Sequence, residues 1–210
     1  MSEKLSWRGR VTSVQARIRL TRSFDERSHT YLGFALRVQG TLRGQDAEFL
    51  VGIGKAAQAK HQLRVGDIVQ GESEPVADPR LETVEFYKTS GLGVIERAAA
   101  QPNAGPPWRS VPPDLEVYRQ RGHRRLDARS YEAKCRSCLW GCRMVVEMII
   151  DQWKPDRRRF RVESFCYGPK SCRFYRAGQT RKVQGRKPYM VWEEADWVDE
   201  EATAHRGNDE

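Results

Sequence analysis

Apolar and polar residues alternate with a period of two through most of the first half of the chain. Val14, Ala16, Ile18 and Leu20 share one parity against Gln15, Arg17 and Arg19, which predicts a strand with one apolar face. Trp7 and Val11 fall on the opposite parity. A slip near Thr12–Ser13 is what one inserted residue, a β-bulge, produces. A second strand places Leu32, Phe34, Leu36 and Val38 together, and a third does the same for Ala47, Phe49, Val51 and Ile53. The period then changes, because the run from Lys55 to Leu63 is short and rich in helix formers. Two more strands follow, one in Val65-Gly-Asp-Ile-Val-Gln-Gly and one from Val84 through Gly91 and Gly93 to Ile95.

Three strands, a short helix and two strands make residues 6–97 resemble an OB-fold, a five-stranded Greek-key barrel with a helix between its third and fourth strands. The run Leu63 to Gly71 is similar to the start of strand four in many OB-folds. Another small barrel of SH3-like type is the runner-up, though it has no ready use for the Lys55–Leu63 helix. The resemblance implies binding of single strands or oligosaccharides on strands two and three and their flanking loops. On that analogy the loop from Thr21 to Tyr31 supplies Arg22 and Arg27 for phosphates, with Phe24 and Tyr31 for base stacking. The structural alternative has Phe24 pinning the loop and Tyr31 plugging a barrel end.

Residues 98–114 contain five prolines, Pro102, Pro106, Pro107, Pro112 and Pro113, which remove amide donors and bar a regular helix or central strand. This reads as a linker to a second unit over 115–192, which holds all five cysteines. Cys135 and Cys138 form a C-x-x-C turn, and Cys166 and Cys172 follow 27 residues later. The intervening segment reads as a hairpin, with strands at Met144–Trp153 and Phe160–Phe165 and a turn at Lys154-Pro-Asp-Arg. Closing that hairpin brings four thiols together, as a tetrahedral zinc ion requires. The arrangement resembles a zinc ribbon, although its second pair is spaced by five residues rather than two. Apolar residues are few in this unit (Trp140, Val145, Met148, Ile150, Trp153, Phe160 and Val162), so a Zn2+ staple on Cys135, Cys138, Cys166 and Cys172 would explain how it folds. The alternative is an iron–sulfur cluster that also uses Cys142, which otherwise serves as a small buried hydrophobe. The expected fold class is therefore mainly β: an OB-fold-like barrel followed by a metal-stapled hairpin module.

Charge sharpens the functional expectation. The formal net charge is +9, yet residues 115–192 hold 20 Lys/Arg against seven Asp/Glu, and residues 193–210 form an acidic tail with Arg206 as its one cation. A dense positive segment favours a polyanion, and nucleic acid, single-stranded or structured, is the leading partner. Arg157, Arg158 and Arg159 sit at the predicted hairpin tip, while Lys170, Arg173 and Tyr175 mix cations with rings beside the last cysteines. Nothing encodes base-specific reading, so binding should be weakly sequence-selective. With about six phosphate contacts the log–log salt slope would be roughly −4 to −5. A protein partner docking on the acidic, aromatic Trp192–Trp197 segment is the competing expectation, and an iron–sulfur or thiol redox protein is a third. No G-x-S-x-G, H-E-x-x-H or phosphate-binding glycine loop is present, so no catalytic residue is assigned. With no apolar run near the roughly 20 residues of a membrane span, and no h-region at the start, a cytoplasmic location is expected. As a whole the chain resembles uncharacterised prokaryotic OB-fold proteins with a Cys-rich end, which implies fold more than function.

Overall fold

The computed structural model describes residues 3–23, 27–99, 104–150, 153–154, 156–185, 187 and 189–207. The first half holds β1 (Leu5–Arg22), β2 (Arg27–Leu42), β3 (Gln45–Ile53), α1 (Lys55–His61), β4 (Ile68–Pro75) and β5 (Phe86–Glu96). This is the element order that the alternation and the single helical run predict. The slip near Thr12–Ser13 is a break in the β1–β2 register between Val11 and Ser13. On its other edge the strand meets the turn before β4: Val11 N–H donates to Asp67 O at 2.8 Å, and Gly66 N–H donates to Val11 O at 2.7 Å.

Beyond residue 114 come α2 (Leu115–Arg121), the two-residue β6 (Arg124–Arg125), and α3 (Ala128–Ser130), which runs into a π-helical turn over Tyr131–Cys135. A hairpin of β7 (Gly141–Ile149) and β8 (Arg158–Cys166) follows, paired from Gly141↔Cys166 to Ile149↔Arg158. The chain ends with β9 (Arg181–Gln184), β10 (Val191–Glu194) and α4 (Asp196–Ala202).

Eight strands form one mixed sheet in the order β2-β3-β5-β4-β1-β7-β8-β6, and β1 also pairs with β2. Within the first half the pairings run β1–β2, β2–β3, β3–β5, β5–β4 and β4–β1. The β3–β5 link is a single parallel bridge, Val51↔Phe86. The second half joins the same sheet, because Arg19–Arg22 of β1 pair in parallel with Val145–Met148 of β7.

That junction changes the burial of β1. Up to Val11 it alternates buried and exposed, but from Ser13 onward both parities are covered. One face packs Val14, Ala16, Ile18 and Leu20 against Phe34, Leu36 and Val51. The other face, where the pattern put Gln15 and Arg17, lies under the Cys-rich segment and the loop at Glu82, whose carboxylate Arg17 meets at 2.6 Å. Tyr118, Cys142, Met144, Val146, Phe165 and Tyr167 pack into the same core as the first-half residues. Val162 and Trp153, counted among the scarce apolar residues of the second unit, are instead exposed, Trp153 at 76%. The second half thus borrows burial from the first, and the shortage of apolar residues that called for an ionic staple is partly met by the shared core.

Candidate nucleic-acid interface and cysteine cluster

Cys135, Cys138 and Cys166 form a buried cluster with Leu126 and Tyr131, flanked by Trp108, Trp140 and Tyr175. The β7–β8 register brings Cys166 to the C-x-x-C turn, as the predicted hairpin requires. Burial pushes the Cys135 thiol up to about 12, reinforced by Cys166, Cys138 and Cys172. It raises Cys138 to about 11, and N–H groups near that sulfur act in the opposite direction. Gly168 N–H reaches Cys166 Sγ at 3.4 Å. Cys172 is half-buried at the edge of the cluster and contributes to the rise of the Cys135 and Cys166 thiols. Among the described residues, no three His, Cys, Asp or Glu side chains stand arranged to hold a metal ion. Cys142 belongs elsewhere: its Sγ donates to Ala16 O at 3.1 Å within the large core.

The Pro-rich stretch is fastened to this cluster. Trp108 packs against it and its carbonyl accepts from Leu139 N–H at 2.8 Å, while Arg109 Nε donates to Ser137 Oγ at 3.1 Å. The result is a groove of about 450 Å³ between the β2–β3 face and the Cys135 turn. Its walls carry Arg37 from β2, Arg109, and Lys134 and Arg136 on either side of Cys135, with Phe174 as the aromatic and Glu48 from β3 as the acid. Lys134 and Arg173 lie over the Phe174 ring at 5.7 and 5.0 Å. Four cations and a ring facing one channel suit a phosphodiester chain with a stacked base.

The residues singled out from sequence are dispersed. Arg22 is a correction to the expected phosphate contact: it is 2% exposed, with Nη2 2.6 Å from Glu194 of β10. Its strand lies under the β10 segment, so its charge is consumed internally. Arg27 is exposed and 3.6 Å from the same carboxylate. Phe24 lies outside the described residues. Tyr31 is half-buried with the Arg119 guanidinium 4.9 Å from its ring centre. Tyr175 is covered on one face by Arg124 at 3.9 Å and donates its hydroxyl to Arg125 O, so that ring supports the fold rather than offering an open stacking face. Lys170 donates to Arg206 O at 3.2 Å. Arg157, Arg158 and Arg159 are exposed at the hairpin tip, Arg158 paired with Glu147, and Arg173 is exposed beside Phe174. Of the contacts expected from sequence, Arg173 adjoins the groove. Arg37, Arg109, Lys134 and Arg136 were not singled out, although the Lys-Cys-Arg-Ser-Cys run, with cations flanking a thiol, was the available signal for two of them.

Residues 193–207 of the acidic segment are folded as well. Asp196 and Asp199 bind Arg125 at 2.6 and 3.0 Å, and Arg206 donates to Tyr167 O and Gly168 O. No helix is long and apolar enough to cross a membrane among the described residues. No family model matches the chain, and neither a curated protein nor a solved structure matches it.

Proposed function

We propose that the chain is a weakly sequence-selective nucleic-acid-binding protein. In this reading residues 5–96 form an OB-fold barrel, supported by the cycle of strand pairings that leaves β1 through β2 and returns to it through β4. The observation that carries the function is the basic groove of Arg37, Arg109, Lys134 and Arg136 with Phe174, on the β2–β3 face where such barrels take single strands. Zn2+ on Cys135, Cys138, Cys166 and Cys172 is the proposed staple: soft thiolates suit it and Cys135 lies near the other three, although no three of these side chains are arranged as ligands among the described residues. When bound it would fix the Cys135 turn that presents Lys134 and Arg136. Cys142, committed to the Ala16 carbonyl, takes no part, which counts against a cluster that uses it.

The test is the affinity for a labelled single-stranded oligonucleotide across a salt series. Four phosphate contacts give a log–log slope of roughly −3, and R109A with K134A should reduce it by roughly 1.4. A flat salt response, or no effect of the double variant, overturns the reading.

A second reading, a protein-docking role, is favoured by one feature. Trp192 and Trp197 are exposed in a T-shaped pair at 5.3 Å, on the surface that also bears Val191. A partner retained after nuclease treatment and lost in W192A/W197A would support it.

A further inference from the structure

Arg37 and Arg136 come from β2 and from the Cys135 turn, far apart in sequence, yet both donate to one carboxylate oxygen. Glu48 Oε1 accepts from Arg37 Nη1 at 3.0 Å and from Arg136 Nη2. The carboxylate is 41% exposed and forms part of the groove wall. The Nε atoms of both arginines are buried with no hydrogen-bond partner. Two guanidinium forks therefore converge on one carboxylate oxygen and leave donors unused. Arg136 Nε forms a long ion pair with Glu132 at 3.9 Å, and Arg143 shares that acid at 3.8 Å, so among the described residues no second carboxylate hydrogen-bonds the clamp.

We propose that Glu48 is a resident stand-in for a phosphate, and that a nucleic-acid phosphodiester binds the Arg37–Arg136 clamp by displacing it; the inference rests on the nucleic-acid reading of the groove above. The exchange conserves charge, one monoanion for another. A phosphodiester brings two non-bridging oxygens set tetrahedrally, which can engage both forks, whereas Glu48 presents a single oxygen to both. Half-exposed ion pairs are weak in water, so the carboxylate can yield and return. Binding is then weaker and more reversible than the cation count alone suggests, and the arginines stay ordered when no ligand is present.

Affinity for labelled oligothymidylate and oligouridylate, measured across salt, tests this in the full chain. E48Q should tighten binding about three- to tenfold and steepen the log–log slope by roughly 0.7, because small ions then neutralise the clamp and leave when the strand binds. E48D keeps the charge but shortens the reach, and should also tighten binding. E72Q removes the same charge on β4, outside the groove, and should leave the slope unchanged. Adding R37A or R136A to E48Q should erase the gain. If E48Q and E48D bind no better while R37A and R136A weaken binding, the displacement is refuted and the groove stands. An equal gain in E72Q refutes it too, as a general charge effect. If neither arginine variant changes binding, the nucleic-acid reading of the groove falls with it.

Discussion

The Gln15 carboxamide donates to the Cys138 carbonyl at 2.8 Å and to the Cys135 carbonyl at 3.0 Å, and its own oxygen accepts from the Tyr131 hydroxyl at 2.7 Å. One side chain on β1 thus satisfies the backbone of the C-x-x-C turn more than a hundred residues away. Removing it leaves the buried Tyr131 hydroxyl unpaired and takes one of two donors from each carbonyl, which keep Cys138 N–H and Gly141 N–H. Gln15→Leu, close in volume, should lower stability by about 2–3 kcal/mol in urea unfolding. It should also weaken metal retention, measured by competition with a chelator, because the turn loses its support.

Arg22 and Glu194 form a buried pair that must be changed together. Arg22→Ala leaves buried Glu194 with the partly exposed Arg27 at 3.6 Å as its remaining ion-pair partner, and should cost about 3 kcal/mol. Arg22→Met with Glu194→Leu should recover most of that loss. Since Arg22 has no open face, the double variant should bind nucleic acid as tightly as the parent. The same pair makes truncation of residues 193–210 a destabilising change.

Gly33 lies within β2 at φ 130°, and a Cβ there would overlap the Ile53 carbonyl oxygen. Gly44, at φ 79° in the β2–β3 turn, has nothing within 4 Å of a built Cβ. Gly44→Ala should cost about 1–2 kcal/mol from backbone conformation alone. Gly33→Ala adds the overlap and should cost more, about 3 kcal/mol or above. Equal losses in denaturant unfolding would show that the close approach of β3 is not rigid.

His29 and His123 are stacked edge to face at 5.0 Å, with His123 also against Phe165. Burial lowers His29 to about 4, helped by Arg27 and Arg22, and lowers His123 well below its ordinary value. In the unfolded chain both imidazoles take up protons below about pH 6.5, which the folded state refuses. Stability should therefore fall as pH drops from 7 to 5.5, by about 1 kcal/mol for each imidazole. His123→Phe should flatten the decline. Glu194 and Asp199, raised mainly by burial, act in the opposite sense at lower pH, so the comparison belongs above pH 5.

Purified protein should be colourless and carry zinc that Cys135→Ser or Cys166→Ser removes. Cys142→Ser should keep the metal while losing stability in the core, since that thiol packs on Ala16 instead. Brown protein with acid-labile sulfide would replace zinc with an iron–sulfur cluster.

Much of the strand order was legible in the sequence because a period of two records which side chains face a core, whatever that core turns out to be. The bulge was visible for the same reason: Val11 and Val14 have the wrong parity for one uninterrupted strand. The hairpin that carries Cys166 back to Cys135 was legible from its turn residues and alternating strands.

The second face of β1 was not legible. Gln15 and Arg17 look solvated because they are polar, and local pattern cannot distinguish a polar residue that meets water from one that meets a carbonyl or a carboxylate from another part of the chain. The groove was hidden likewise. Arg37, Arg109 and Arg136 are far apart in sequence, and the pairing of β1 with β7, the Gln15 bonds to the Cys135 turn and the Trp108–Leu139 bond bring their segments to one surface. Sequence alone therefore settled the order of the first five strands and the hairpin after the C-x-x-C turn, through short-range periodicity and turn residues. Which cations remain open and which are neutralised was decided by tertiary packing, because a charge's availability depends on the partner that folding sets beside it.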